Sequence, residues 1–148
     1  MQLKVKYLNS SLPPLASKDG DSGYDIRAAI DESWIIPAKG IATIPAGICL
    51  ELTGYPAADG WSAEIQIRPR SGLTKNGVIA QFGTVDAAYR GEIKVNIMNF
   101  NDFDFEIKPL DRIAQIVVCP VFKPEVCAAE ILSETERGGK GFGSSGTR

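Results

Sequence analysis

Five stretches of the chain place polar and glycine residues where a strand has no use for them. In chain order they are Asp21-Ser22-Gly23-Tyr24-Asp25, Arg68-Pro69-Arg70-Ser71-Gly72-Leu73, the run from Gly83 to Glu92, Asp111-Arg112-Ile113-Ala114-Gln115, and the tail from Arg137 to Gly146. Each admits a chemical role and a plain one. Arg70-Ser71-Gly72 at a helix start aims amides, a hydroxyl and a guanidinium at an anion, or Ser71 is an ordinary N-cap. Asp25 either orients a metal or caps a turn. Asp86, between Val85 and two alanines, has an apolar sequence neighbourhood of the kind that tunes a carboxylate for general-base work. Alternatively it is a turn aspartate bonded to its own backbone. Tyr89 is a stacking platform or a strand aromatic, and the plain reading of Arg90-Gly91-Glu92 is a turn with an ion pair. In the tail, glycine amides can wrap a phosphate chain with Arg137 as charge and Phe142 as a lid. Together the parts describe a nucleoside triphosphate site.

Composition narrows the chemistry. The 148 residues include no histidine. That excludes Ser-His-Asp and Cys-His nucleophile systems, His-ligated zinc and imidazole proton shuttles. A carboxylate is therefore the leading candidate for a base near pH 7. Sixteen Lys+Arg against eighteen Asp+Glu leave a net charge of −2, without the footprint of a duplex nucleic-acid binder. No basic run suits an anionic membrane, and the apolar stretch Ile113–Phe122 is broken by Gln115 and Pro120. Met1-Gln2-Leu3-Lys4 leads directly into alternating residues, which reads as a chain without a signal peptide. Cys49, Cys119 and Cys127 are odd in number and lack CxxC spacing, so buried free thiols in a reducing cytoplasm are expected.

The elements that must position these residues are strands. Period-two alternation marks Leu3–Tyr7, Ala63–Ile67, Ile93–Ile97 and Phe103–Ile107. Shorter runs fall at Tyr24–Ala28, Trp34–Ile36, Ile41–Pro45 and Gly47–Leu52. Ile113–Cys119 is apolar on both faces and is placed between two layers or at a subunit contact. One short helix after Ser71 ends at Asn76-Gly77. The pattern predicts an all-β, jelly-roll-like sandwich over residues 1–132. Residues 133–148, rich in glycine and serine, form a tail that composition alone reads as disordered.

With these five islands in this order, the sequence resembles the trimeric deoxyuridine triphosphatases (dUTP diphosphatases). The match runs from Asp21 to Gly146. Its most specific parts are the third motif, with Asp86, Tyr89, Arg90 and Gly91 in register, and the Gly-Phe-Gly-Ser tail. The resemblance implies a homotrimer in which each site takes the third motif from one chain, motifs one, two and four from a neighbour, and the tail from a third. The tail is then a mobile arm that orders over substrate. The implied reaction converts dUTP to dUMP and pyrophosphate, keeping uracil out of DNA, with Mg²⁺ on the phosphates. Asp86 would activate the water, and Asp25 would touch the metal through a water. Ser71 and Gly72 would hold the phosphate chain, with Arg70 and Gln115 nearby. Arg137 would meet the γ-phosphate, Phe142 would stack on uracil, and Gly143 would join the substrate contacts. Tyr89 would lie against the deoxyribose and reject a 2′-hydroxyl. Uracil would be read by the hairpin between Val78 and Val95, with Gly83, Thr84, Val85 and Lys94 at the substrate.

The chain departs from the family pattern at Ser22, Ala80, Ala88 and Lys140. Ala80 stands where many bacterial members carry an asparagine near the base. Two other readings remain: a dCTP deaminase of the same fold, whose site is built on a glutamate, and a nucleotide-gated protein-binding regulator of the kind attributed to relatives on mobile elements. Retention of the Asp86/Tyr89 pair and the full tail favours the hydrolase.

Overall fold

The structure is a computed structural model describing residues 1–55 and 60–139. Alternating residues become strands because one face of each can be buried. In chain order the elements are β1 (Gln2–Tyr7), β2 (Tyr24–Arg27), β3 (Trp34–Ile36), β4 (Ile41–Thr53), β5 (Trp61–Arg68), α1 (Ser71–Lys75), β6 (Val78–Ala80), β7 (Gly83–Asp86), β8 (Glu92–Asn99), β9 (Phe105–Ile107) and β10 (Arg112–Phe122). Two antiparallel sheets, ordered β1-β4-β8-β6 and β2-β10-β5-β7, enclose the core, and β3 pairs with β9 in a small third ladder. Ile44, Ile93, Val95 and Ile97 from the first sheet meet Ile26, Ile65, Ile113 and Ile116 from the second, all buried. The jelly-roll-like, all-β expectation holds.

Three details differ from the sequence reading. The runs Ile41–Pro45 and Gly47–Leu52 are one strand, β4, whose pairing with β8 shifts register between Pro45 and Cys49. Gly47 makes that shift possible at φ 64°, and a Cβ there would fall 2.6 Å from both Ala29 Cβ and Leu12 Cδ1. The alternation at Phe103 does not extend β9, which starts at Phe105. Phe103 is exposed instead, and the Asp104 carboxylate accepts a bond from the Ala38 amide at 3.0 Å. The three cysteines are free, but Cys49 and Cys119 are only half-buried and Cys127 is exposed.

β10 is an inner strand between β2 and β5. Ile113 and Ala114 are both buried because its register against β2 shifts between Arg112 and Ala114. β10 ends at Phe122, and beyond it Val126, Ile131 and Leu132 are exposed. Among the described residues no helix is long and apolar enough to cross a membrane.

Candidate active site

Pairing of β2, β10 and β5 sets Asp25 opposite Gln115 and Gln115 opposite Arg68. The first, fourth and second islands thus share one row of a single sheet. Gly23 permits this close packing, since a Cβ there would lie 2.6 Å from the Ile116 carbonyl oxygen. Arg70 Nε donates to Asp25 Oδ1 at 2.7 Å, and Arg112 Nη1 donates to Asp25 Oδ2 at 3.3 Å. Gln115 Nε2 donates to the Pro69 carbonyl at 3.2 Å, tying β10 to the entry of α1.

Ser71 is not the N-cap. That position belongs to Arg70, in extended conformation, and no side chain caps the helix. The Arg70 carbonyl takes the amides of Leu73 and Thr74 and the Thr74 hydroxyl. The amides of Ser71 and Gly72 belong to the first turn, which has no intrahelical acceptor to offer them. A Cβ on Gly72 would meet nothing within 4 Å. Packing within this chain therefore does not require glycine there.

These residues line an open cleft of about 900 Å³ whose charged walls are Lys18, Arg27, Arg68, Arg70 and Arg112 against Asp21 and Asp25. The excess is cationic and the space suits a polyphosphate. Lys18, Arg27, Arg68 and Arg112 were not singled out individually from sequence. Only cross-strand register reveals that Arg112 belongs with Arg70. Among the described residues no group of three or more His, Cys, Asp or Glu could hold a metal ion. A resident metal cage is absent there, but a carboxylate with about four lone-pair sites, three of them engaged at Asp25, can still accept from a metal-bound water.

The third island builds a separate recess of about 280 Å³ lined by Thr84, Val85, Asp86, Tyr89, Glu92, Ile93 and Lys94. The Val78–Val95 segment is not one simple hairpin. β6 pairs with β8, whereas β7 leaves for the other sheet and pairs with β5. Their divergence opens the recess. β7 is the edge of its sheet, and β6 covers β8 only from Ile97 to Asn99, with one further bond from the Gln81 amide to the Asn96 carbonyl. Open backbone edges of β7 and of β8 near Lys94 therefore border the recess, where they can read a base edge. Gly83 and Lys94 also line a smaller hollow immediately beside it.

The turn carrying Asp86 is held from several sides. Tyr89 N–H donates to the Asp86 carbonyl at 2.9 Å, and Arg90 Nη1 donates to the carbonyls of Ala87 at 2.6 Å and Tyr89 at 2.9 Å. Glu92 accepts from the Gly47 amide at 3.1 Å, so Arg90 finds its ion-pair partner in Glu51 at 3.8 Å rather than in Glu92. The Tyr89 hydroxyl donates to the Glu92 carbonyl at 3.2 Å, and the ring passes so close to Gly91 that a Cβ would lie 2.5 Å from Tyr89 Cζ. Asp86 itself makes no side-chain hydrogen bond among the described residues and is exposed. It is not a self-bonded turn aspartate, and the apolar surroundings suggested by Val85 and the alanines do not form within this chain.

The two recesses share no lining residue. Asp86 pairs with Glu64 and Gln115 with Arg68, so they lie four positions apart along β5, about 13 Å along the strand. Arg137 is described beyond the last strand; Phe142 and Gly143 lie outside the described residues.

Comparison with known proteins gives one answer. The dUTPase family model matches residues 9–146. A deoxyuridine 5'-triphosphate nucleotidohydrolase of Helicobacter pylori is 42% identical over 99% of this chain and 97% of its own length. One from Orientia tsutsugamushi is 44% identical over the whole of both chains. Among solved structures, the Staphylococcus bacteriophage 80alpha dUTPase with dUPNHPP superposes with a TM-score of 0.83 at 27% identity, covering 98% of each chain. A phage phi11 dUTPase, in which coordination of a structural Mg(II) ion is described, gives a TM-score of 0.76 at 20% identity over 90% of this chain and 100% of its own. A match over nearly the whole chain, at 42% and 44% identity to the two bacterial relatives, shows that the chain belongs to the dUTPase family.

Proposed function

We propose that this protein hydrolyses dUTP to dUMP and pyrophosphate. The observation that carries the reading is the pairing, in a chain of this family, of a cationic cleft with a separate recess in which the Asp86 carboxylate, unengaged among the described residues, stands beside the Tyr89 ring.

Asp86 positions a water against the α-phosphorus and takes its proton. The water oxygen bonds to phosphorus while the bond to the bridging α–β oxygen breaks, and the electron pair leaves with pyrophosphate. Arg70, with Ser71, Gly72 and Gln115, holds the phosphate chain in line, so binding energy is spent on orientation. Mg²⁺, when bound, neutralises phosphate charge and polarises the attacked phosphorus. Asp25 would meet it through a water; the lone-pair capacity left by its bonds to Arg70 and Arg112 supports this reading.

Uracil lies between the open edges of β7 and β8, where a backbone amide and carbonyl complement its O4 and N3–H. Cytosine presents the opposite pattern and would leave polar groups unpaired. Tyr89, held above Gly91, packs on the deoxyribose and leaves no room for a 2′-hydroxyl. The complete site is shared between chains of a homotrimer, with the arm from Ser133 onward closing it through Arg137, Phe142 and Gly143; the exposure of Asp86 and the separation of its recess from the phosphate cleft support this reading. The exposed Val126, Ile131 and Leu132 support this reading, since a neighbouring chain would cover them. Pyrophosphate release measured with dUTP, UTP, dCTP and dTTP in the presence of Mg²⁺ tests the function. Turnover confined to dUTP is expected; equal turnover of UTP would contradict the Tyr89 role.

A further inference from the structure

We infer that Lys18 is an additional polyphosphate-binding residue, outside the five islands; the inference rests on the dUTP-hydrolase reading of the cleft. Five cationic side chains line that cleft, and four are already engaged. Arg27 donates to the Leu110 carbonyl at 2.8 Å. Arg68 donates to Gln66 Oε1 at 2.9 and 2.7 Å, and Arg70 and Arg112 both hold Asp25. The Lys18 ammonium alone has no protein partner among the described residues.

Its backbone, by contrast, is fixed. Lys18 N–H donates to Asp21 Oδ2 at 2.9 Å, and Asp21 N–H returns a bond to the Lys18 carbonyl at 3.0 Å. Gly20, at φ 87°, allows the chain to close between them. The turn thus roots the side chain at the cleft wall and leaves its head without a partner among the described residues. Neither carboxylate of the cleft bonds to it: Asp25 faces two arginines, and Asp21 is engaged by the turn. An ammonium on a flexible stem is suited to a phosphate oxygen as a movable point charge. The ligand class is accordingly the di- or triphosphate portion of the nucleotide, and neither base nor sugar enters the contact.

The test compares binding of dUpNHpp and dUMP by calorimetry in the full-length protein and its Lys18→Gln and Lys18→Arg variants. An exposed charge contact predicts that Lys18→Gln weakens dUpNHpp about three- to fivefold. Binding of dUMP should not change, and Lys18→Arg should retain most of the affinity. Unchanged dUpNHpp binding, or equal losses for both nucleotides, would overturn the assignment. Inorganic tripolyphosphate separates this question from the parent reading. If the unaltered protein failed to hydrolyse dUTP, the enzymatic reading would fall, while a Lys18-dependent loss of tripolyphosphate binding would still sustain the contact. Thermal unfolding of the variants, expected to match that of the unaltered protein, shows that the exposed substitution leaves the fold intact.

Discussion

Arg70 Nε meets Asp25 Oδ1 at 2.7 Å, and both side chains are about two-thirds or more buried, at 25% and 32% relative exposure. This bond fixes the guanidinium at the entry of α1, so the first island sets the geometry of the second. Asp25→Asn should release Arg70 and Arg112 together. A charge-assisted bond at this depth is worth about 1.5 kcal/mol, or roughly tenfold in KM for dUTP. Steady-state kinetics and dUpNHpp binding measure it; an unchanged KM would show that the bond does not position Arg70 for substrate.

Tyr89 and Gly91 form a second dependency. Gly91→Ala would push a methyl into the ring, with only 2.5 Å between the added Cβ and Tyr89 Cζ. The ring must then lift away from the recess. The ratio of dUTP to UTP turnover should fall about tenfold or more, because rejection of the 2′-hydroxyl depends on where the ring lies. A preserved ratio would mean that another group excludes ribose.

Asp86→Asn should lower turnover by about 10²–10⁴, the usual value of a positioned general base, while dUpNHpp still binds. Single-turnover measurements separate this from a binding defect. Loss of binding in parallel with turnover would assign Asp86 to substrate holding instead.

Asn99 is the one buried polar residue among the described residues, 2% exposed, and its Nδ2 donates to the carbonyls of Ile36, Pro37 and Phe103. Its Oδ1 accepts from the amide and side chain of Asn101, whose Nδ2 also bonds to the Asn76 carbonyl just past α1. Asn99→Leu would strand these groups, and we expect a loss of about 3 kcal/mol or more in urea unfolding. A loss below about 1 kcal/mol would show that water or rearrangement satisfies them.

Much of this was legible in the sequence because period-two burial is a local property: Ile65/Ile67 and Ile93/Val95/Ile97 announce their strands unaided. Long-range register is not local. Nothing near Gln115 says that it stands between Asp25 and Arg68, and nothing near Arg90 says that Glu51, not Glu92, is its partner. Phe103 misled because its alternation imitates a strand while Asp104 is drawn off to the Ala38 amide. Asp86 misled in another way, since apolar sequence neighbours on a turn do not bury a side chain. Lys18 is not legible in the sequence because a lone lysine in a polar loop carries no signal until its neighbours in space are known.

In the proposed arrangement one chain holds the parts of a site but not a complete one. The direct test mixes two inactive variants, Asp86→Asn and Arg70→Gln, after dissociating and reassociating the subunits. On the shared-site account, random reassembly joins an intact Asp86 to an intact Arg70 from the next chain in about a quarter of sites, and dUTP hydrolysis returns to that fraction of the unaltered protein's rate. If the mixture remained as inactive as its two parents, each site would belong to a single chain and the account would be wrong.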